Sequence, residues 1–312
     1  MSIDRTTIVK GPAIVTFDSE VMYVKDAITL NYKLDTFEIP VSTHGSVDQR
    51  ISNVPVEISF TPVGKWDALS QLFPHTTPAP GDSIFGATDK NLTIQTKAGV
   101  LITCKAAAVT KMPDIISSTT KTLLGQVTFT CIGVNNTAWT DAAKRLLVAS
   151  NAWSDTSFSP ADVLTQTYAI AWGSASPWST IKTMDGVTIS FGLKTSPIET
   201  DEDGLVDMCV DDVSVSAKLT PVGVSETQLV DLLKGQGTGA VRGASLATIN
   251  SNALNISGTG VYVRIYAAVP KETPMAFERA KNRAGSITFE GVRTVATGVL
   301  QPLFYVGAAA PT

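Results

Sequence analysis

Two stretches of the chain alternate apolar and polar residues with a period of two. Ile28, Leu30, Tyr32 and Leu34 interleave with Thr29, Asn31 and Lys33, and Val187, Ile189, Phe191 and Leu193 interleave with Thr188, Ser190, Gly192 and Lys194. Successive side chains of a strand point to opposite faces, so this spacing predicts half-buried strands with a core on one side and a polar medium on the other. A second alternating run follows each first one: Val54, Val56, Ile58 and Phe60 against Pro55, Glu57 and Ser59, then Val213, Val215, Ala217 and Leu219 against Ser214, Ser216 and Lys218. The polar stretches between the runs, residues 36–50 and 195–209, are expected to be long loops. Further strands are expected at 91–96, 99–109, 125–134, 253–257, 260–269 and 285–293. Helical spacing is sparser. Ser225-Glu226-Thr227-Gln228 reads as a capping box ahead of Leu229, Leu232 and Leu233. Trp66, Leu69, Leu72 and Phe73 form its counterpart in the first half, and a third helix is predicted over 141–149, capped by Thr140.

The similarity between these stretches is a true internal repeat. Residues 26–64 align without a gap to residues 185–223, with 14 of 39 pairs identical, among them Asp26/Asp185, Thr29/Thr188, Leu34/Leu193, Ile39/Ile198 and the whole of Thr61-Pro62-Val63-Gly64 against Thr220-Pro221-Val222-Gly223. Composition alone gives about two or three identities in such a window. The match continues more loosely: 91–94 faces 253–256, Gly99-Val100 faces Gly260-Val261, Ala106-Ala107 faces Ala267-Ala268, Pro113 faces Pro274, and 125–129 faces 285–289. Two units of this size are tandem domains, because solenoid arrays need three or more repeats. The expected division is a first domain at 1–150, a Ser-, Asp- and Pro-containing linker at 151–165, and a second domain at 166–312. The expected fold class is mainly β, with two tandem β-sandwich or partial-barrel domains, each carrying one or two short α-helices.

Composition narrows the function. Charged residues are 17% of the 312, below the usual quarter, and polarity comes from Ser and Thr instead. Such a surface suits strands and tolerates being covered by neighbours. The net charge of -4 lacks the basic footprint of a nucleic-acid grip, while a mildly acidic wall still permits a conduit for DNA. Cys104, Cys131 and Cys209 are widely spaced and odd in number, which signals neither zinc nor a disulfide framework; they read as small buried hydrophobes in a reducing cytoplasm. The N-terminal residues hold no apolar signal region, and no apolar run is long enough to span a membrane. The pattern matches for glycosylation at Asn91, Asn135 and Asn255 are read as chance.

Candidate chemistry is weak throughout. Glu199, Asp201, Asp203 and Gly204 occupy the first, third, fifth and sixth places of a calcium loop, but the twelfth is Val210, where a bidentate Glu is required. The glycine-rich stretch 235–243 follows a predicted helix instead of a strand and lacks the Gly-Lys-Ser/Thr of a phosphate loop. His44 and His75 are the two histidines, expected on the surface, and no nucleophile–base constellation can be assembled around them. The five tryptophans are expected to pack, with a sugar platform as the other reading. No catalytic residue, cofactor or metal is expected, and the protein is read as a non-enzyme.

The order strand, long polar stretch, strand, Pro-Val-Gly turn, short helix and further strands resembles the phage tail tube family, and the likeness covers both halves. The resemblance implies that six tube domains form a ring, that inner strands close into one β-barrel around a lumen, and that rings stack into a tube conducting DNA into the host. It also implies that the long loop reaches the next ring. Some members fuse two tube domains, so that three chains make a pseudo-hexameric ring; this chain resembles that type and has no residues left for an added immunoglobulin-like domain. The implied partners are further copies of the chain, tape measure protein and DNA in the lumen, and tail terminator and distal tail proteins at the ends, with no membrane. The implied location is the virion tail, after synthesis in the bacterial cytoplasm. The polar strand faces are expected to line the lumen: Thr29, Asn31, Lys33, Glu57 and Ser59, then Thr188, Ser190, Lys194, Ser216 and Lys218. The inter-ring contact is expected at Glu38, His44, Asp48, Glu199, Asp201, Glu202, Asp203 and Asp207. A terminator, distal tail or adaptor protein of the same fold, or a tandem β-sandwich adhesin, are the alternatives.

Overall fold

Each of the four alternating runs contributes a strand among the described residues. The computed structural model describes residues 13–32, 35–53, 56–63, 70–77, 79–86, 90–118, 122–132, 146–153, 168–173, 178–200, 204–222, 228, 231–232, 242, 245, 251–258, 260–272, 274–278 and 281–311. Among the described residues strand accounts for 65% and helix for 3%, which makes the fold mainly β.

The first half holds β1 (Ala13–Phe17), β2 (Glu20–Val24), β3 (Thr29–Tyr32), β4 (Asp35–Val41), β5 (Gly45–Asn53), β6 (Val56–Phe60) and β7 (Pro62–Val63). After these come β8 (Leu92–Thr96), β9 (Val100–Cys104), β10 (Ala107–Lys111), β11 (Ile115–Ser117), β12 (Thr122–Leu124), β13 (Val127–Cys131) and β14 (Leu146–Ser150). The second half holds β15 (Ala169–Trp172), β16 (Thr183–Thr200), β17 (Gly204–Pro221), β18 (Asn252–Gly258), β19 (Val261–Glu272) and β20 (Met275–Glu278). It ends with β21 (Lys281–Ala284), β22 (Ile287–Gly291), β23 (Val295–Ala296), β24 (Val299–Leu300) and β25 (Phe304–Gly307).

The strand order repeats between the halves. The first half forms one sheet in the order β14-β9-β8-β1-β2-β7 and a second in the order β10-β13-β6-β3. In the second half β19-β22-β17-β16 follows the order of the latter, and β25-β19-β18-β15 that of β14-β9-β8-β1. The copies differ in how the two groups are joined. β19 runs unbroken through both groups and joins them in a single curled sheet, whereas β9 and β10 are divided at Lys105 and Ala106. Ala106 has φ 45, a left-handed turn that re-aims the chain. The continuous strand expected at 99–109 is therefore two.

Alternation decides what is buried. Val56, Ile58 and Phe60 are fully enclosed while Glu57 is exposed, and in β17 Val213, Val215, Ala217 and Leu219 are buried between the exposed Ser214 and Lys218. One core cluster takes residues from both halves. Phe129 meets Phe17 edge-on at 4.8 Å and stacks on Phe60 at 5.8 Å. Phe73 of the first half meets Phe191 of the second at 4.8 Å, and Phe191 in turn meets Phe304 at 4.9 Å. Full burial of such a ring contributes about 1.5–3 kcal/mol. Trp172 and Trp178 pack edge-to-face at 5.2 Å, with their indole N–H groups donating to the Ala268 carbonyl and the Asp231 carboxylate. These two tryptophans are packing residues, Trp153 is half-buried, and Trp66 and Trp139 lie outside the described residues.

Three expectations require correction. The stretches 36–50 and 195–209 are not loops but hairpin arms: β4 pairs with β5, and β16 and β17 run far beyond the core sheet as one ribbon, paired as far as Thr200 opposite Gly204. Their polar residues suggested a loop because both faces of an arm are solvated, which removes the one-sided alternation that marks a half-buried strand. The helix expected over 141–149 is contradicted from Leu146 onward, where β14 forms and pairs with β9, Leu146 opposite Cys104 and Val148 opposite Ile102. A sheet edge supplies ladder partners that outweigh the weak helical preference of this segment. Finally, His75 is not a plain surface residue. It is partly buried, and burial pushes its pKa down while the charge of Asp82 opposes the shift. Of the helix around 66–73 only a 3-10 turn at Ser70–Leu72 is described, and of the one near 225–233 only Gln228, Asp231 and Leu232, all helical.

Candidate self-assembly surface

Ladder register places the expected polar residues side by side. Thr29 lies opposite Ser59 and Asn31 opposite Glu57 across β3 and β6; on the other side of β6, Ser59 lies opposite Thr128 and Glu57 opposite Thr130. Hydroxyls link this face laterally, Ser59 to Thr128 at 3.0 Å and Thr110 to Thr130 at 3.1 Å. In the second half Thr188 lies opposite Lys218, Ser190 opposite Ser216 and Lys194 opposite Asp212, and β22 continues the face with Thr288 and Glu290. Each set has the apolar residues of the same strands behind it, so a one-residue slip would turn the whole core outward. Thr29, Asn31, Glu57, Lys194 and Lys218 are exposed, and Ser59, Thr188, Ser190 and Ser216 are half-buried. Lys33 lies outside the described residues.

Acidic and basic residues are mixed on this face, and two ion pairs flank it. Lys271 pairs with Glu290 at 2.5 Å, and that carboxylate raises the lysine pKa. Arg293 forms an ion pair with Asp212 and also reaches the Val213 carbonyl. Among the described residues no group of three His, Cys, Asp or Glu side chains could hold a metal ion. No described helix is long and apolar enough to cross a membrane.

The arms carry the second set of expected residues. Glu38 faces Gln49, Asp48 faces Ile39, and His44 sits in the tight turn with its Nδ1 2.7 Å from the Thr43 hydroxyl. All are exposed, as are the apolar Phe37, Val41 and Val47 of the same arm and Ile198 of the other. An isolated two-stranded ribbon is marginally stable in water, and exposed apolar residues along it mark a surface that other chains can cover. Glu199 is exposed near the tip of the second arm, opposite Leu205. Asp201, Glu202 and Asp203 lie outside the described residues.

Asp207 has a partner within the chain. Its Oδ1 accepts hydrogen bonds from the Ser83 hydroxyl and the Met208 N–H, both at 2.7 Å. Backbone bonds Gly81 to Val210, Val210 to Asp82 and Ile84 to Met208 lay the first-half segment 79–86 along β17 as a brace at the root of the arm. No residue signal in 79–86 pointed to this, because a single isolated bridge leaves no periodicity.

No family model and no curated protein matches the chain.

A seam between the halves was also illegible in the sequence. The hairpin β11–β12 leaves the first half and pairs with β16, with Ile115 opposite Ile189, Ile116 opposite Thr188 and Ser117 opposite Val187. Ile115 and Ser117 are buried there, and burial pushes the Tyr168 phenol pKa up to about 12 against the weaker pull of the Ser117 hydroxyl. Gly186, at φ +83, lets the two backbones close: a Cβ on it would lie 1.9 Å from the Ser117 carbonyl oxygen. The only sequence trace of the seam is the repeat of Gly125 in Gly285.

Proposed function

We propose that this chain is a structural subunit of a bacteriophage tail tube, that it self-assembles into rings of three chains, and that these rings stack around a lumen. The reading is supported above all by a sheet face, present in both halves, that is rich in hydroxyls, sparse and mixed in charge, and backed by a continuous core. A DNA conduit needs a hydrated wall that does not hold phosphates, and hydroxyls with a sparse mix of charges provide one, whereas a wall lined by Lys and Arg would bind DNA by counterion release. Thr29, Asn31, Glu57, Ser59, Thr188, Ser190, Lys194, Ser216 and Lys218 line that wall, facing DNA or tape measure protein. The two arms, with exposed Phe37, Val41, Val47 and Ile198, supply the contact to the adjacent ring. A ribbon reaching out from each half, with apolar residues left in water, fits stacking better than it fits a monomer.

Negative-stain images of the purified chain, with the mass of isolated rings, test this. Hollow polymers and three-chain rings are expected. Single rings that never stack would favour a terminator or adaptor, and a monomer that binds a glycan would favour an adhesin. Rings of six chains would overturn the trimer.

A further inference from the structure

The seam inside the chain is one filled copy of a joint whose two halves recur, unfilled, at the ends of the repeat. The hairpin β20–β21 follows β19 as β11–β12 follows β10. Both hairpins are closed by the same bond: the Gly125 N–H donates to the Asp114 carbonyl at 2.8 Å, and the Gly285 N–H to the Pro274 carbonyl at 2.6 Å. This bond fixes the correspondence more firmly than the sequence alignment, which had set Pro113 against Pro274. Structurally Asp114 matches Pro274, so Ile115 matches Met275, Ile116 matches Ala276 and Ser117 matches Phe277.

The acceptor edge is duplicated as well. β3 is the counterpart of the core part of β16, with Thr29 matching Thr188 and Leu30 matching Ile189. Among the described residues β3 pairs with β6 alone, and β20 pairs with β21 alone. Burial differs between the copies as an uncovered edge requires. Val187 and Ile189 are 2% and 0% exposed beneath β11, whereas Ile28 and Leu30 are only half-buried and Tyr32 is 50% exposed. An open strand edge presents unpaired N–H and C=O groups and is a ready template for another strand.

We propose that β20–β21 of one copy adds to the β3 edge of the next copy, antiparallel, with Met275 opposite Leu30 and Ala276 opposite Thr29. The inference rests on the self-assembly reading above and names its surface and partner, a second copy of this chain joined head to tail. Such a contact is heterologous, so repeating it covers the β3 edge of each successive copy and gives a closed ring or an open filament according to the rotation per copy. The intermolecular joint differs from the seam at one end. Where the seam has Gly186, the first half has Ala27, and a Cβ there cannot approach a carbonyl as Gly186 approaches that of Ser117. The new ladder is therefore confined to the pairs at Leu30 and Thr29, and the Phe277 end splays away from Ile28.

Thr29→Cys and Ala276→Cys combined in the full-length chain, with Cys209→Ser to remove the one native thiol that is not buried, test the joint. Opposed Cα atoms of antiparallel strands fall within disulfide reach. Mild oxidation of the assembled protein is expected to give a covalent ladder on a non-reducing gel, ending at a discrete species if the ring closes, with no ladder from either single-cysteine variant. Particles that assemble normally without any ladder would overturn the joint and leave the tube reading intact. A chain that stays monomeric at high concentration would overturn both. Hydrogen exchange on the unsubstituted protein gives a second measure: amides at 29–32 are expected to gain protection on assembly, and unchanged exchange there counts against the joint.

Discussion

Gly186→Ala strains the seam between the halves at the point where two backbones touch. At φ +83 an alanine loses about 1–2 kcal/mol from left-handed geometry alone. Its Cβ would also stand 1.9 Å from the Ser117 carbonyl oxygen, 2.7 Å from the Ser118 Cα and 2.8 Å from the Ser117 carbonyl carbon. All three are main-chain atoms, so no side chain can swing aside and β11 must retreat by about 1.5 Å to restore ordinary contact. That retreat opens the ladder at Ile115, Ile116 and Ser117 and partly uncovers Ile115 and Ile189, both fully buried. Losing about half the burial of two such side chains adds about 2 kcal/mol, for a total of about 3–4 kcal/mol. Gly260→Ala isolates the backbone contribution, because Gly260 has φ +72 and nothing within 4 Å of its Cβ position. Urea unfolding should show the larger loss for Gly186→Ala, and hydrogen exchange should speed up at 115–117 and 187–189 in that variant alone. Equal losses for the two variants, or unchanged exchange along β11, would refute the reasoning.

Two further predictions concern buried titratable groups. Burial lowers the His75 pKa in the folded chain, so folding favours the neutral ring; that contribution is complete above about pH 6.5 and is lost as pH falls below it. The urea midpoint should therefore drop between pH 6.5 and 5 in the natural chain and less so in His75→Gln, and identical profiles would remove His75 as the cause. The Cys131 thiol is pushed well up by its hydrogen bond with Cys104 and by burial, so a bulky disulfide reagent at pH 8 should modify Cys209 first and reach Cys104 and Cys131 only on unfolding; rapid modification of three thiols in the folded chain would contradict this.

The alternation of Val56, Ile58 and Phe60 with Glu57 and Ser59, and of its copy in β17, was enough to determine the strands, their inward faces and the polar face opposite, because period two is a property of the backbone itself. The repeat likewise determined that corresponding strands would recur in the two halves, and the strand order bears this likeness. What local pattern could not supply is pairing over distance. Leu146 to Ser150 became an edge strand because β9 offered a ladder, and residues 36–50 and 195–209 became arms because backbone bonds across the ribbon need no buried face. The seam of β11 with β16 was set by tertiary structure alone: three residues are too few to show a period, and whether a hairpin meets the edge of its own half or of the other depends on where the core sheets bring those edges. The same physics leaves β3 and β20–β21 to be joined, or not, by a second copy of the chain.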